Sequence, residues 1–259
     1  MTFYPGFEIH PTANPMGFAY GPGVFGPEVE NRRLDSIRKS LLDSGCSGPD
    51  PVYSIAMDVG KIEHRLQLTQ HHLLYGAVTY AAGRLGQEPV RSQGHIHRVS
   101  PFSGWSTPEV YEIWSGEAII YMQETARDEP GRCFAIKAVA GDIVIVPPSW
   151  AHATISAVPE QPLTFGAWCD RGYGFEYDEV RKHKGLAWFP LITDNGKIGW
   201  VKNQNYMDCT LVVKHPEKYI QLGISSGKPI YTQYEENPEK FLFVPNPELV
   251  GSIWKKFIP

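Results

Sequence analysis

Short apolar runs separated by turn-rich gaps dominate the middle of the chain. They occupy residues 52–59 and 73–81, then follow closely at 95–99, 110–114, 118–122, 133–139, 143–146, 152–156 and 163–169. Gly, Pro, Ser and Asp are concentrated in the gaps, as at residues 100–108 and 140–142. Many short strands at close spacing, with few helices, are typical of an all-β sandwich or barrel.

One stretch ahead of these strands has helical spacing instead. Its apolar residues recur three and four apart and a glycine follows as a stop signal: Leu34, Ile37, Leu41, Leu42 and Gly45. We predict an amphipathic helix over residues 31–44, packed on the outside of a larger body. Residues 63–72 fit either a loop or a short helical turn. Residues 1–30 are rich in Gly, Pro and aromatic side chains, which predicts an extended arm and not a folded unit.

The pattern loosens after residue 190. A turn at 193–197 predicts a hairpin between strands at 189–192 and 198–201, and residues 206–213 could add one more strand. A last short helix is predicted at 249–257, and the prolines of the tail suggest that it wraps over the barrel. We therefore expect an N-terminal arm and helix (1–48), a barrel (49–190) and a C-terminal extension packed on the barrel (191–259).

The composition is ordinary for a soluble globular protein and argues against some partners. The chain is 42% hydrophobic, 12% aromatic and 20% charged, with a net charge of −4. This charge provides no long-range field to attract nucleic acid or an anionic membrane surface. No apolar run approaches the roughly 18–20 residues of a membrane span. The start of the chain lacks a signal-peptide pattern and the four cysteines form no CxxC pair, so we expect a cytoplasmic protein with free thiols.

The chemistry of the chain is concentrated in three histidines and a glutamate. His95 and His97 are two apart, so on a strand both imidazoles face the same way. Glu109 and Tyr111 are related in the same manner, and His152 follows a stiff, proline-rich turn. Imidazoles with a single carboxylate suit Fe(II), Mn(II), Ni(II) or Zn(II) better than Ca(II) or Mg(II). We therefore predict that His95, His97, Glu109 and His152 hold one divalent ion inside the barrel.

The remaining histidines give no comparable signal. His71 and His72 are adjacent in the chain, and neighbours on a strand point apart, so they cannot share a metal ion. The others lie in polar or turn-like settings and receive no role: His10, His64, His183 and His215.

The spacing around the four ligands resembles the cupin superfamily, whose two motifs run G…HxH…E…G and G…P…H. Here the motifs are completed by Gly94, Gly116, Gly141 and Pro147, and the resemblance covers about residues 86–156. Two features depart from it, a long gap between the second histidine and the glutamate, and Ser149 where many cupins have Gly. The resemblance implies a cupin fold, a double-stranded β-helix or jelly-roll barrel. With the flanking predictions, we expect a short N-terminal helix and an extended C-terminal tail around it.

The flanks of the motifs look more specifically like the cupin-type glucose-6-phosphate isomerases. The similar segments are 92–97, 109–111 and 144–154, the last containing the element Pro-Pro-x-Trp-Ala-His, and the wider resemblance spans roughly residues 32–205. It implies metal-dependent interconversion of glucose 6-phosphate and fructose 6-phosphate in glycolysis or gluconeogenesis. Fe(II) or Mn(II) is the favoured ion, with Zn(II) or Ni(II) as alternatives. Glu109 would be metal ligand, catalytic base or both.

The same resemblance assigns the substrate contacts. Phosphate donors would be the side chains of Tyr53, Ser92 and Tyr177 and the backbone N–H of Gly94, and Tyr111 would line the sugar. Proton transfer through an enediol and a hydride shift both remain open. A homodimer is also expected from this class, with the N-terminal arm as the candidate for exchange between subunits.

Three positions depart from the isomerase pattern. Val78 stands where the family has a substrate-side Thr, Cys169 where it has a Tyr, and Phe175 where it has a His; Thr79 is one position off and faces the other way. These departures keep two alternatives open. One is another metal-dependent cupin enzyme acting on a sugar phosphate or related small molecule, such as an isomerase, epimerase or dioxygenase. The other is a non-catalytic sugar-binding cupin.

Overall fold

The computed structural model describes residues 2–259, and over this range the chain is mostly β-structure with five short α-helices. The strands are β1 Ile9–Ala13, β2 Met16–Tyr20, β3 Val24–Phe25, β4 Glu30–Arg32, β5 Tyr53–Met57, β6 Gly60–Lys61, β7 Leu73–Tyr80, β8 Arg84–Leu85, β9 Glu88–Pro89, β10 Ile96–His97, β11 Glu109–Ser115, β12 Glu117–Gln123, β13 Cys133–Val139, β14 Ile143–Val146, β15 Ala151–Ser156, β16 Leu163–Asp170, β17 Phe175–Glu176, β18 Trp188–Ile192, β19 Ile198–Lys202 and β20 Leu211–Lys214. The α-helices are α1 Leu34–Ile37, α2 Arg65–Gln70, α3 Asp178–Lys182, α4 Ile230–Glu236 and α5 Gly251–Trp254. Turns of 3-10 helix lie at Arg38–Ser40, Ile62–His64, Ile220–Leu222, Pro238–Phe241 and Pro247–Val250.

Two sheets form the body of the molecule. The larger has six strands in the order β14-β11-β16-β7-β5-β4, and the smaller has four in the order β15-β12-β13-β20. Within these sheets β13 and β20 run parallel, and the other paired strands are antiparallel. A closed pair of such sheets buries one face of each strand against the other sheet. This is the all-β cupin barrel that the motifs predict.

Alternation along β11 decides what faces the interior. Tyr111 and Ile113 belong to the apolar core between the two sheets, whereas Val110 and Trp114 belong to a second core on the outside of the six-stranded sheet. Because side chains alternate along a strand, Glu109 shares the inner face with Tyr111. A polar group is thereby placed inside an otherwise apolar barrel.

The C-terminal residues cover the outer face of the six-stranded sheet. The ring of Trp168 on β16 lies 5.5 Å from that of Tyr231 and 5.6 Å from that of Phe241. Glu112 on β11 accepts a hydrogen bond from the backbone N–H of Ile230 at 2.7 Å. Since β16 and β11 are central strands, this layer protects their outer face from water. A third core, on the outside of the four-stranded sheet, contains Leu186 together with residues of β12, β13 and β15.

The prediction of an N-terminal arm without a fold of its own is wrong. Strands β1 and β2 form a hairpin, and β4 joins the edge of the six-stranded sheet beside β5. The hydroxyl of Ser54 donates to the backbone oxygen of Met16 at 3.3 Å, and Phe7 is buried in the outer core. The partner of β4 lies on a distant stretch of the chain, since Arg32 pairs with Tyr53, so local composition did not reveal this pairing.

The predicted helix over residues 31–44 is much shorter in the structure. It comprises α1 and the 3-10 turn that follows, after which Leu41 is already extended. Leu34, Ile37 and Leu41 are buried as the spacing predicted, but Leu42 is 46% exposed. A helix of one turn depends on packing and not on its own hydrogen bonds, so periodicity identified the buried side chains without fixing the length.

Other local predictions are confirmed or refined. Residues 63–72 form a 3-10 turn followed by α2, which settles the choice between loop and helix. His71 and His72 lie in the turn after α2. They were excluded as a metal-binding pair on the assumption that they lie on a strand, and that assumption is wrong. The hairpin of β18 and β19 is confirmed, and β20 supplies the additional strand predicted near residue 210. No helix of residues 2–259 is both long and apolar enough to cross a membrane.

Candidate metal centre and adjoining pocket

The four predicted ligands come from three neighbouring segments of the barrel. His97 lies on β10, Glu109 begins β11 and His152 lies on β15. His95 precedes β10 and is bridged to His152 by two backbone hydrogen bonds of 3.0 and 2.9 Å. Ile96 packs into the core outside the four-stranded sheet, so its two histidine neighbours face the interior. The ligand atoms of the three histidines and the glutamate all lie within 4.8 Å of one another.

Backbone carbonyls fix the orientation of two of the imidazoles. His97 Nδ1 lies 2.8 Å from the oxygen of Thr107, and His152 Nδ1 lies 3.1 Å from the oxygen of Trp150. A carbonyl only accepts, so Nδ1 carries the proton in both rings and Nε2 presents a lone pair in the neutral form. The two Nε2 atoms lie 3.2 and 3.3 Å from Oε2 of Glu109. Lone pairs aimed at a carboxylate repel it unless a proton or a metal ion lies between them.

The third imidazole, that of His95, has a ring nitrogen without a hydrogen-bond partner among residues 2–259. His95 Nε2 is buried and accepts or donates no hydrogen bond within the described part of the chain. A buried polar atom without a partner costs free energy, which a coordinate bond would offset. With three Nε2 atoms and one carboxylate converging, the donor set fits a metal ion. The cluster can therefore hold one.

Electrostatics favour the protonation state that metal binding requires at His95, His152 and Glu109, but not at His97. Burial lowers the pKa of His95 well below its usual value, and the neighbouring imidazoles lower it further. Burial also lowers the pKa of His152, against hydrogen bonding to Glu109. For Glu109 burial acts to raise the pKa, but the close contacts with the imidazoles of His152 and His97 outweigh it and hold the pKa well below its usual value. His97 differs, because its contacts with Glu109 outweigh burial and raise its pKa.

Two further side chains contact the carboxylate. The hydroxyl of Tyr111 donates to Oε2 of Glu109 at 2.8 Å, and the thiol of Cys169 donates to Oε1 at 3.4 Å. Burial, and then the charge of Glu109, raises the pKa of Cys169 well above its usual value, so the thiol keeps its proton. Oε2 is therefore held by three neighbours, whereas Oε1 has one weak donor.

A pocket opens beside the ligand cluster. It is lined by Arg32, Tyr53, Ile55, Met57, Val78, Tyr80, Ser92, His95, Glu109, Tyr111, Thr154, Phe165, Phe175 and Tyr177. The predicted substrate residues Tyr53, Ser92, Tyr111 and Tyr177 are thus brought together around two of the predicted ligands. Gly94 is not among the lining residues. Its φ of 89° and a position that would put a Cβ 2.9 Å from Leu186 explain why glycine stands there.

The three departures from the isomerase pattern all lie at this site. Val78 lines the pocket, while the hydroxyl of Thr79 turns away and lies 3.1 Å from that of Thr164. Phe175 packs its ring 4.6 Å from the ring of His95. Together with Cys169 at Glu109, these residues make the pocket more apolar than the family pattern implies.

Several lining residues were not predicted from the sequence. Thr154 follows His152 by two positions on β15, so strand alternation could have found it. Tyr80 is related to Val78 in the same way, and its ring stacks on Tyr53 at 4.7 Å. Arg32 gave no local signal, because only the pairing of β4 with β5 brings it beside Tyr53.

Comparisons with known proteins agree with this site. The family model of glucose-6-phosphate isomerase (GPI) matches residues 40–208. The chain is 26% identical over 133 residues to a glucose-6-phosphate isomerase of Sinorhizobium medicae, covering 51% of this chain and 56% of that protein. It is 27% identical over 124 residues to a glucose-6-phosphate isomerase of Pyrococcus furiosus, covering 48% of this chain and 59% of that protein. The aligned part thus spans little more than half the length of each relative.

Among solved structures, an oxalate oxidase resembles the chain with a TM-score of 0.36 and 11% identity, covering 48% of this chain and 54% of that one. The family model is the stronger match, because it extends over well more than half of the chain and includes the four metal-ligand candidates. The chain belongs to the cupin-type glucose-6-phosphate isomerase family.

Proposed function

We propose that this protein is a metal-dependent glucose-6-phosphate isomerase that interconverts glucose 6-phosphate and fructose 6-phosphate. The observation that carries the proposal is an ionised carboxylate, Glu109, surrounded by three imidazoles at the edge of a pocket. Isomerisation between C1 and C2 of an open-chain sugar needs a base close to both carbons and a positive charge near both oxygens. Membership of the family supports the same assignment.

One divalent ion would be held by Nε2 of His95, His97 and His152 and by the carboxylate of Glu109. When bound, such an ion supplies Lewis acidity that polarises a carbonyl and offsets developing negative charge. The donor set suits Fe(II), Mn(II), Ni(II) or Zn(II), and the resemblance to the family favours Fe(II) or Mn(II) among them. The carbonyls of Thr107 and Trp150 hold two of the rings in the tautomer that leaves Nε2 free.

Oε1 of Glu109 would carry the proton that is transferred between C1 and C2 of the sugar. The other oxygen, Oε2, is restrained by the hydroxyl of Tyr111 and by two imidazoles, whereas the contact of Oε1 is a thiol at 3.4 Å. Oε1 is therefore the oxygen free to take a proton from one carbon of the sugar and return it to the other. Tyr111 keeps the carboxylate in place during the transfer.

The phosphate end would be bound by hydroxyl groups. Tyr53, Ser92 and Tyr177 line the pocket, and the backbone N–H of Gly94 is proposed as a fourth donor. The hydroxyl oxygen of Ser92 already accepts from the backbone N–H of Thr154 at 3.1 Å, so its own proton is free to donate. The ring of Tyr177 is held beneath the guanidinium of Arg181, 4.8 Å from its centroid.

A coupled assay tests the proposal. Glucose 6-phosphate formed from fructose 6-phosphate is followed in protein supplied with Fe(II), Mn(II), Ni(II) or Zn(II) in turn. Activity is expected with at least one of these ions, and Glu109→Gln should reduce kcat by about 1,000-fold, within the range of general base catalysis. Absence of activity with all four ions would exclude the proposed reaction.

Deuterated water separates the two candidate mechanisms. Transfer through Glu109 exposes the proton to exchange, so deuterium should enter the product at C1 or C2. A product without deuterium would favour a direct hydride shift between the two carbons and would leave Glu109 as a ligand only.

The apolar replacements favour a second candidate, another sugar-phosphate isomerase or epimerase. Val78 and Phe175 remove hydrogen-bonding groups beside the sugar and so disfavour a substrate that needs them. Comparing kcat/KM for fructose 6-phosphate with the values for other hexose and pentose phosphates tests this candidate. A ratio of 100 or more in favour of another sugar would replace the leading assignment; oxygen uptake with Fe(II) would indicate a dioxygenase instead.

We further propose a cytoplasmic homodimer. In the structure the N-terminal hairpin packs against strands of its own chain. Any exchange between subunits would therefore require this hairpin to leave its present position. Mass measurement by light scattering should give twice the 29.1 kDa of one chain. A monomeric mass would remove the homodimer.

A further inference from the structure

Arg32 is a positively charged side chain in the pocket that the proposed function leaves without a role. Among the described residues lining the pocket, it is the sole arginine or lysine. Its side chain is 21% exposed, so the guanidinium is only partly accessible to water. A partly buried guanidinium facing a ligand pocket is suited to an anionic group.

The hydrogen bonding of this guanidinium is incomplete. Nη1 of Arg32 lies 3.0 Å from Oε1 of Glu30, whose side chain is 61% exposed. Nε of Arg32 is buried and has no hydrogen-bond partner within residues 2–259. An exposed ion pair contributes little, whereas a buried donor without an acceptor is costly. The Nε edge of the guanidinium therefore lacks an acceptor that a ligand could supply.

The strands place Arg32 beside the phenols of the pocket. Arg32 on β4 is paired with Tyr53 on β5, and their side chains share one face of the sheet. Burial raises the pKa of Tyr53 and of Tyr177, and the charge of Arg32 opposes the shift in both, as expected for a cation close to the two phenols. Two hydroxyl donors and a guanidinium fork thus meet on one side of the pocket.

We propose that Arg32 binds the phosphate of the substrate through its Nε–H edge and sets the preference for phosphorylated over unphosphorylated sugars. This assignment rests on the proposed function. A guanidinium edge presents two parallel N–H groups that match two oxygens of a phosphate, and a lysine ammonium cannot reproduce them. Glu30 leaves Nε free because it contacts Nη1.

Arg32→Gln tests the assignment, with Arg33→Gln as its matched control. Arg33 is the next residue, but its side chain is 63% exposed and pairs with Asp50 at 3.6 Å, away from the pocket. Arg32→Gln should raise KM for fructose 6-phosphate about 10- to 100-fold, or about 1.4–2.8 kcal/mol at 1.4 kcal/mol per factor of ten. Its kcat and metal content should stay within about twofold of the wild type. Arg33→Gln should leave all three unchanged, and Arg32→Lys should give an intermediate KM.

Inorganic phosphate provides a readout independent of isomerisation. Calorimetric titration should detect phosphate binding to the wild type and to Arg33→Gln, with at least tenfold weaker binding to Arg32→Gln. Unchanged KM and unchanged phosphate affinity in a folded Arg32→Gln protein would overturn the role of Arg32 and leave the isomerase proposal standing. Phosphate binding that depends on Arg32 in a protein without isomerase activity would instead support the anion site and refute the proposed reaction.

Discussion

At the residue scale, the metal centre depends on which nitrogen of each histidine is committed elsewhere. His152 donates through Nδ1 to the carbonyl of Trp150, which directly precedes β15, and its Nε2 lies beside Glu109. Its side chain is 1% exposed. The loss of the His152 side chain therefore removes one ligand and its contact with Glu109, whereas the backbone hydrogen bonds between His152 and His95 remain.

His152→Ala should therefore abolish metal binding and activity while leaving the barrel folded. Metal content by mass spectrometry is expected to fall from one ion per chain to less than a tenth, with an unchanged far-UV circular dichroism spectrum. His10→Ala is the control, since the His10 side chain is 66% exposed and is not among the residues that line the pocket. An unchanged metal stoichiometry in His152→Ala would show that the ligand set is wrong.

A second buried carboxylate gives a prediction about stability. Glu112 is fully buried on the outer face of β11 and accepts hydrogen bonds from the N–H of Ile230 and from Nε1 of Trp114. Burial raises its pKa to about 8, against the effect of these two donors. The folded protein then keeps a proton that the unfolded chain releases near pH 4.5, so this group lowers the stability as pH rises from about 4.5 to 8.

Glu112→Gln should remove that pH dependence. The wild type is expected to lose up to about 1.4 kcal/mol of unfolding free energy per pH unit in this interval, relative to the variant. Urea unfolding at several pH values between 5 and 8 measures the difference. The amide of the Glu112→Gln variant alters the hydrogen bonding at this position equally at every pH. The readout is therefore the slope of the unfolding free energy against pH, and not its absolute value. Parallel curves for the two proteins would contradict a raised pKa.

Residue patterns predicted the convergence of three histidines and one glutamate, but they did not predict every residue that lines the pocket. His95, His97, Glu109 and His152 follow from strand alternation and motif spacing, both of which are local properties of the chain. Arg32 could not be found in this way, because a pairing between distant strands brings it to the pocket. Cys169 was recognised only as a missing tyrosine, although its thiol contacts Glu109.

At the scale of elements, strands with regular alternation were predicted well and irregular ones were not. β11 to β16 lie close to the predicted ranges because buried apolar positions and glycine turns mark both ends. β1 and β2 were missed because Pro11 and Gly17 interrupt their patterns. β4 was missed because it is a short polar segment that forms a strand only by pairing with β5. The extent of α1 was likewise set by packing.

The C-terminal layer over the six-stranded sheet is an element whose energetic role can be measured. Tyr231 on α4 is fully buried, stacks on Trp168 and accepts a hydrogen bond from the N–H of Lys61 at 2.8 Å. Tyr231→Ala should lower the free energy of unfolding by about 3–5 kcal/mol, the usual cost of removing a large buried aromatic ring. Denaturant unfolding monitored by fluorescence gives the value.

Two further variants make that measurement specific. Tyr231→Phe keeps the ring and should cost about 1 kcal/mol for the lost hydrogen bond. Ile220→Ala, at a side chain that is 74% exposed in the same extension, should change the stability by less than about 0.5 kcal/mol. Equal effects of Tyr231→Ala and Ile220→Ala would mean that the layer contributes little to stability.

At the scale of the whole molecule, the barrel and the layers packed on its outside enclose one polar site in an apolar interior. The inner core surrounds the ligand cluster with apolar side chains, and the pocket connects that cluster to Arg32 and the phenols. Three imidazoles, one carboxylate and one guanidinium would suit the proposed substrate, which has oxygens at one end and an anion at the other. Isomerisation of a sugar phosphate at one metal ion per chain is the activity that this arrangement supports.

The most direct test is the isomerisation rate as a function of metal added back to chelated protein. The rate should be near zero without metal, rise linearly with Fe(II) or Mn(II), and saturate at one equivalent per chain. His152→Ala should stay inactive across the same titration. A rate that survives complete chelation, or that fails to appear with any of Fe(II), Mn(II), Ni(II) and Zn(II), would contradict a metal-dependent isomerase built on these four ligands.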